Sequence, residues 1–122
     1  MAKKILIIED EEILLDLLCR KLAKEGYRVL TAKNGEDGLR LAKEEKPDLI
    51  LLDILMPKVS GMEVLREMAK DKAMRQIPVI IVSNSGQPVE LYEAQKLGVR
   101  DWLIKTQFDP SEVINKVKRQ IG

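Results

Sequence analysis

Three short runs of unbroken apolar residues confine this chain to very few folds: Ile5-Leu6-Ile7-Ile8, residues 48–52 (Asp-Leu-Ile-Leu-Leu) and Val79-Ile80-Ile81-Val82. A strand with one wet face alternates apolar and polar residues. A continuous run instead suits a strand buried on both faces, as at the centre of a parallel sheet. Residues 27–31 and 101–104 are weaker strand candidates, mixed in polarity and suited to outer positions. Helical patterns lie between them. Leu14, Leu17, Leu18 and Leu22 recur at the spacing of one helix face before Gly26 stops it. Similar patterns cover 38–45, 61–72, 89–97 and 110–121. The last has Asp109 as N-cap, Pro110 at the first helical position and Glu112 in the first turn. The alternation predicts an α/β fold, a (βα)5 doubly wound three-layer sandwich with right-handed crossovers. Of the two common strand orders, 2-1-3-4-5 suits five strands with polar outer ones.

The 122 residues fit one domain, 1–122, and 45% apolar content supports a real core. Lys and Arg number 21 against 20 Asp and Glu. That balance speaks against direct nucleic-acid binding, which favours a basic surplus. No apolar run is long enough to cross a bilayer, and Met-Ala-Lys-Lys leads into only four apolar residues, unlike a signal peptide. Cys19 is the only cysteine, falls on the polar side of the first helix and is given no role. A cytoplasmic protein is expected. The chain has no histidine, so a Ser-His-Asp triad or a His-ligated zinc is excluded.

In a doubly wound sheet, ligands bind beyond the carboxyl ends of the strands, where the strand order reverses. Strand one ends in Glu9-Asp10-Glu11-Glu12, strand three in Asp53, strand four in Ser83-Asn84-Ser85-Gly86 and strand five in Lys105. If strands one and three are neighbours, Asp10 and Asp53 lie close together. Carboxylates forced together share a proton or bind a cation. An oxygen-only set suits a hard ion, Mg²⁺ above all. Asp53 can then attack an incoming phosphoryl group. The charge on that group calls for cations and donors, which the ion, Lys105 and the Ser83 hydroxyl supply. Taken singly, each residue has a plainer reading: acids cap the next helix, and Asp53 forms a turn. Their convergence on one edge outweighs it.

At this point the chain resembles the receiver domains of bacterial response regulators over nearly its whole length. The resemblance rests on residues 5–12 (Ile-Leu-Ile-Ile-Glu-Asp-Glu-Glu) and 47–63 (Pro-Asp-Leu-Ile-Leu-Leu-Asp-Ile-Leu-Met-Pro-Lys-Val-Ser-Gly-Met-Glu). It also rests on residues 78–83 (Pro-Val-Ile-Ile-Val-Ser) and 97–105 (Leu-Gly-Val-Arg-Asp-Trp-Leu-Ile-Lys). It implies the flavodoxin-like 2-1-3-4-5 order and a signalling switch rather than an enzyme, one that catalyses only its own phosphorylation and dephosphorylation. It implies Asp53 as phosphoacceptor, Asp10 as a direct Mg²⁺ ligand, Glu9 acting through water, and the Leu55 carbonyl as a further ligand. Ser83 becomes the switch hydroxyl, Lys105 the phosphate-binding lysine and Trp102 the switch aromatic. The donor is a sensor histidine kinase or a His-containing phosphotransfer protein, docking on the first helix and the loop around Phe108. Output to a downstream protein uses the helix 89–97, strand five and the last helix, with the chain a monomer or a phosphorylation-dependent dimer.

Three residues depart from the family pattern. Thr106 replaces the proline that usually follows the lysine, so a trans Lys105-Thr106 peptide is expected, since a cis bond there costs about 2.5–4 kcal/mol. Asn84 replaces a small residue and is expected to narrow access to the phosphoryl group or alter its lifetime. Trp102 is larger than the usual aromatic. Three rivals remain. A haloacid-dehalogenase-type phosphatase needs a second Asp where Leu55 stands. An FMN binder needs a phosphate-cradling loop where Glu9 to Glu12 would repel phosphate. A degenerate receiver would bind partners without phosphorylation.

Overall fold

The computed structural model describes residues 2–83, 88–105 and 109–122, with backbone alone for 88–90. In chain order the elements are β1 (Lys4–Ile8), α1 (Glu12–Lys24), β2 (Arg28–Ala32), α2 (Gly35–Glu45), β3 (Leu49–Leu52) and α3 (Gly61–Ala69). A 3-10 turn (Met74–Gln76) follows, then β4 (Val79–Ser83), α4 (Pro88–Lys96), β5 (Val99–Ile104) and α5 (Pro110–Ile121). The five strands form one parallel sheet in the order β2-β1-β3-β4-β5.

The continuous apolar runs are explained by the two faces of this sheet. Leu6, Ile8, Ile50, Leu52 and Ile81 point to one side, where Ala42 of α2 and Leu65 and Met68 of α3 cover them. Ile5, Ile7, Leu49, Leu51, Ile80 and Val82 point to the other, against Leu15, Leu18 and Leu22 of α1 and Val113 and Val117 of α5. Each alternate residue is therefore buried, whichever way it faces. At roughly 1.5–3 kcal/mol per fully buried aliphatic side chain, these strands fix the register: Ile8 opposite Leu52, and Leu52 opposite Ile81.

Helix boundaries follow local side-chain bonds. α5 starts as expected: the Asp109 carboxylate accepts the Ser111 N–H (2.8 Å) and Glu112 accepts the Asp109 N–H (3.3 Å), a capping box. α2 starts three residues before the expected 38, because the Asn34 side chain accepts the Asp37 N–H at 2.8 Å and caps it. α3 ends at Ala69 rather than at 72. Asp71 accepts the N–H groups of Ala73 (2.8 Å) and Met74 (3.1 Å), turning the chain into the 3-10 segment. Cys19 is half-buried and packs against the α1–α5 core rather than standing on the polar side of α1. The expected trans Lys105-Thr106 peptide, Asn84 and Phe108 lie outside the described residues. Among the described helices none is long and apolar enough to cross a membrane.

Candidate functional site

The strand register decides which side chains meet at the carboxyl edge of the sheet. The Asp53 N–H donates to the Ile8 carbonyl (3.0 Å) and the Glu9 N–H to the Ala32 carbonyl (2.9 Å), so both residues leave neighbouring strands at the same level. The Lys105 N–H donates to the Ser83 carbonyl (2.9 Å), extending the β4–β5 ladder by one rung and aiming its side chain across the edge. Gly61, the first residue of α3, permits close approach there. Its N–H donates to the Ile54 carbonyl (2.9 Å), and a Cβ at that position would lie 2.2 Å from the Asp53 carbonyl oxygen.

The Lys105 ammonium is the hub. It lies 2.9 Å from Glu9, 3.1 Å from Asp53 and 3.3 Å from Glu11. Its side chain is 8% exposed, and those of Glu9 and Asp53 are 2% exposed. Glu9 also accepts the Glu11 N–H (3.0 Å), and Asp53 accepts the Leu55 N–H (3.3 Å). Burial pushes the Glu9 carboxyl up to about 7, with the Glu11 N–H and Lys105 opposing. Burial also raises Asp53, against the pull of Lys105. For Lys105, burial works against the charged form, but Glu9 and Asp53 outweigh it and hold the amine above its ordinary value.

Carboxylate oxygens of Glu9, Asp10 and Asp53 all lie within 4.8 Å of one another, with Asp10 exposed. This all-oxygen set, buried on two sides and open on the third, fits Mg²⁺, which takes one or two carboxylates and keeps several waters. The cluster borders a cleft of about 130 Å³ lined by Asp10, Glu11, Asp53, Leu55 and Lys105. Five of the seven residues expected at a site are thus gathered: Glu9, Asp10, Asp53, Leu55 and Lys105. Ser83 is fully buried at the end of β4, and Trp102 is half-buried on β5 opposite Ile81, packed against the core. Among the described residues neither lines the cleft. Glu11 was not expected there. The only hint in the sequence was its place in a run of four acids beside a strand end.

A raised Glu9 predicts an inverted pH response. In the unfolded chain Glu9 releases its proton near 4.5, and in the folded metal-free protein near 7. The folded state therefore binds more protons in that window. The Glu9 contribution to stability is intact below 4.5 and is lost as pH rises through 7. Glu9→Gln should thus gain stability over the parent across this window, by on the order of 1–3 kcal/mol. Urea unfolding of both proteins at matched pH measures it; a difference that does not change with pH would refute the assignment.

Comparison with known proteins agrees with this geometry. The model of the response regulator receiver domain matches residues 5–118. The alkaline phosphatase synthesis transcriptional regulatory protein PhoP of Bacillus subtilis is 39% identical over 118 residues, 97% of this chain and 48% of that protein. The chain thus spans about half the length of that relative. Protein PilH of Pseudomonas aeruginosa is 41% identical over 102 residues, 84% of each chain. Among solved structures, the receiver domain of a Pseudomonas aeruginosa sensor histidine kinase is 26% identical with a TM-score of 0.84, covering 100% of this chain and 99% of that one. That structure has a magnesium ion coordinated in its active site cleft. With its parallel sheet, its acidic edge and a match over nearly its full length, the chain belongs to the response regulator receiver domain family.

Proposed function

We propose that residues 1–122 form one receiver unit in which Asp53 accepts a phosphoryl group from a phosphohistidine on a partner sensor kinase or phosphotransfer protein. Family membership implies such a partner, and receiver domains are switches rather than enzymes with a separate substrate. The observation that carries the reading is the Lys105 ammonium, 3.1 Å from a buried Asp53 that shares its edge with two further acids. An Asp53 carboxylate oxygen forms the new O–P bond as the N–P bond breaks, and the donor imidazole leaves with the electron pair. Mg²⁺, held by Glu9, Asp10, Asp53 and the Leu55 carbonyl, would offset the charge on the transferred group. Lys105, 3.1 Å from Asp53, stabilises the same charge.

The phosphoryl group adds negative charge and acceptor oxygens beside β4 and β5. Ser83 and Lys105, at the ends of those strands, are drawn toward it. Lys105 is already linked to Ser83 through the backbone, so the two shift together. Trp102, three residues before Lys105 on β5, reports the shift to the face formed by α4, β5 and α5. That face contacts a downstream protein in the cytoplasm, with the unit a monomer or a phosphorylation-dependent dimer.

The test is intact-protein mass spectrometry after exposure to Mg²⁺ and a small phosphodonor. One acyl-phosphate on Asp53 is expected, absent in Asp53→Asn and suppressed by a metal chelator. An unmodified parent protein would overturn phosphotransfer and favour a phosphorylation-independent interaction module.

A further inference from the structure

We infer that Glu11 is a place-holder on Lys105, occupying in the resting protein the amine contact that the phosphoryl group must take. The inference rests on the reading of Asp53 as phosphoacceptor and adds a device that sets its loading rate. A lysine ammonium has three donors, and here three carboxylates approach it: Glu9 at 2.9 Å, Asp53 at 3.1 Å and Glu11 at 3.3 Å. Glu9 and Asp53 accept hydrogen bonds from it, Glu11 pairs with it as an ion, and the Lys105 side chain is only 8% exposed. A phosphoryl oxygen therefore competes with these carboxylates for the amine.

The local structure identifies which one leaves. Glu9 is buried and held a second time by the Glu11 N–H. Asp53 is buried, held by the Leu55 N–H, and is the accepting group itself. Glu11 makes the longest contact, and its side chain is 54% exposed, so its carboxylate can swing into water at little desolvation cost. The position of Glu11 strengthens the case. It stands at the N-cap of α1, and its side chain makes no cap bond that would hold it there. The carboxylate turns to Lys105 instead, at the mouth of the cleft that an anionic donor must enter. Glu11 is thus a positioning residue acting through Lys105.

Acetyl phosphate at saturating Mg²⁺ tests this. An Asp53 oxygen forms the O–P bond as the P–O bond to acetate breaks and acetate leaves with the electron pair. Glu11→Gln should be phosphorylated faster than the parent, by up to a factor of about five, the range of a part-exposed ion pair. The ratio should fall toward one in about 1 M salt, where charges are screened within roughly 3 Å. Glu11→Asp, one methylene shorter, keeps the charge but withdraws it from the amine, and should also be faster than the parent. A second readout needs neither metal nor phosphodonor: by nitrogen-15 NMR, the Lys105 ammonium protons should exchange with water faster in Glu11→Gln. Equal or slower phosphorylation of Glu11→Gln, or parent-like rates in Glu11→Asp, would overturn the place-holder while leaving Asp53 as phosphoacceptor. Absence of acyl-phosphate in every variant, parent included, would overturn both.

Discussion

Replacing Lys105 with methionine should destabilise the metal-free protein by about 3 kcal/mol above neutral pH, the cost of leaving buried charge without its partner. Lys105 is the cation within 3.1 Å of both Glu9 and Asp53, and those two carboxylates are almost entirely buried. Methionine fills the space of the alkyl stem, so the packing loss is small and the electrostatic loss dominates. The pH dependence separates the two. Both carboxyls are already raised by burial with Lys105 in place, and removing the amine raises them further. The folded mutant then keeps protons that the folded parent has released. Its deficit stays small while the parent carboxyls are themselves protonated and widens as pH rises through their folded values, about 7 for Glu9. Millimolar Mg²⁺ should restore part of the loss, because a ligand that binds only the folded state stabilises it by mass action. Urea midpoints across pH, with and without the ion, measure all of this. A deficit that is constant with pH would mean that lost packing, rather than the buried acids, sets the cost.

The same coupling of charge and burial explains what could be read before the fold was known. The central strands were legible because burial on both faces leaves only apolar residues, as in Leu49–Leu52, all nearly inaccessible. Given parallel strands, a polar residue directly after each apolar run had to sit on one edge, which placed Glu9, Asp53 and Lys105 together. Helix ends were less legible. Asn34 caps α2 three residues ahead of the helical pattern that starts at 38, and Asp71 ends α3 through bonds to Ala73 and Met74. Such bonds depend on side-chain rotamers rather than on periodicity. Cys19 looked solvent-facing, yet α5 returns from the far end of the chain to pack on the α1 face of the sheet. Glu11 was hidden for a similar reason. Its partner Lys105 follows only after all five strands have been laid down, so spacing in the sequence carries no trace of the pair.

Gly61→Ala is expected to lower stability by about 2 kcal/mol and to slow phosphorylation of Asp53, although local propensity argues the opposite. In a helix, alanine is favoured over glycine by about 1 kcal/mol, and Gly61 is not among the glycines with positive φ. The obstacle is the partner it faces. A Cβ there would lie 2.2 Å from the Asp53 carbonyl oxygen and 2.7 Å from the Ile54 Cα, both backbone atoms that no rotamer change can move aside. Forcing an extra methyl into a tight contact costs about 1–3 kcal/mol, and a backbone obstacle belongs at or beyond the upper end of that range. Gly38 is the internal control. A Cβ there meets Ile8 Cδ1 at 2.5 Å, the far end of a flexible side chain, so Gly38→Ala should cost less. Relief at Gly61 requires the 53–54 backbone or the start of α3 to move. Either shift strains the 2.9 Å bond from the Gly61 N–H to the Ile54 carbonyl and draws Asp53 away from Lys105. A displacement of about 1 Å can slow a positioned reaction by as much as a hundredfold, so a loss of at least about tenfold in acyl-phosphate formation is expected. Thermal unfolding and timed mass spectrometry on Gly61→Ala and Gly38→Ala measure the two effects. A Gly61→Ala protein as stable as the parent would show that the loop after β3 yields freely, and that this close approach does not hold Asp53 in place.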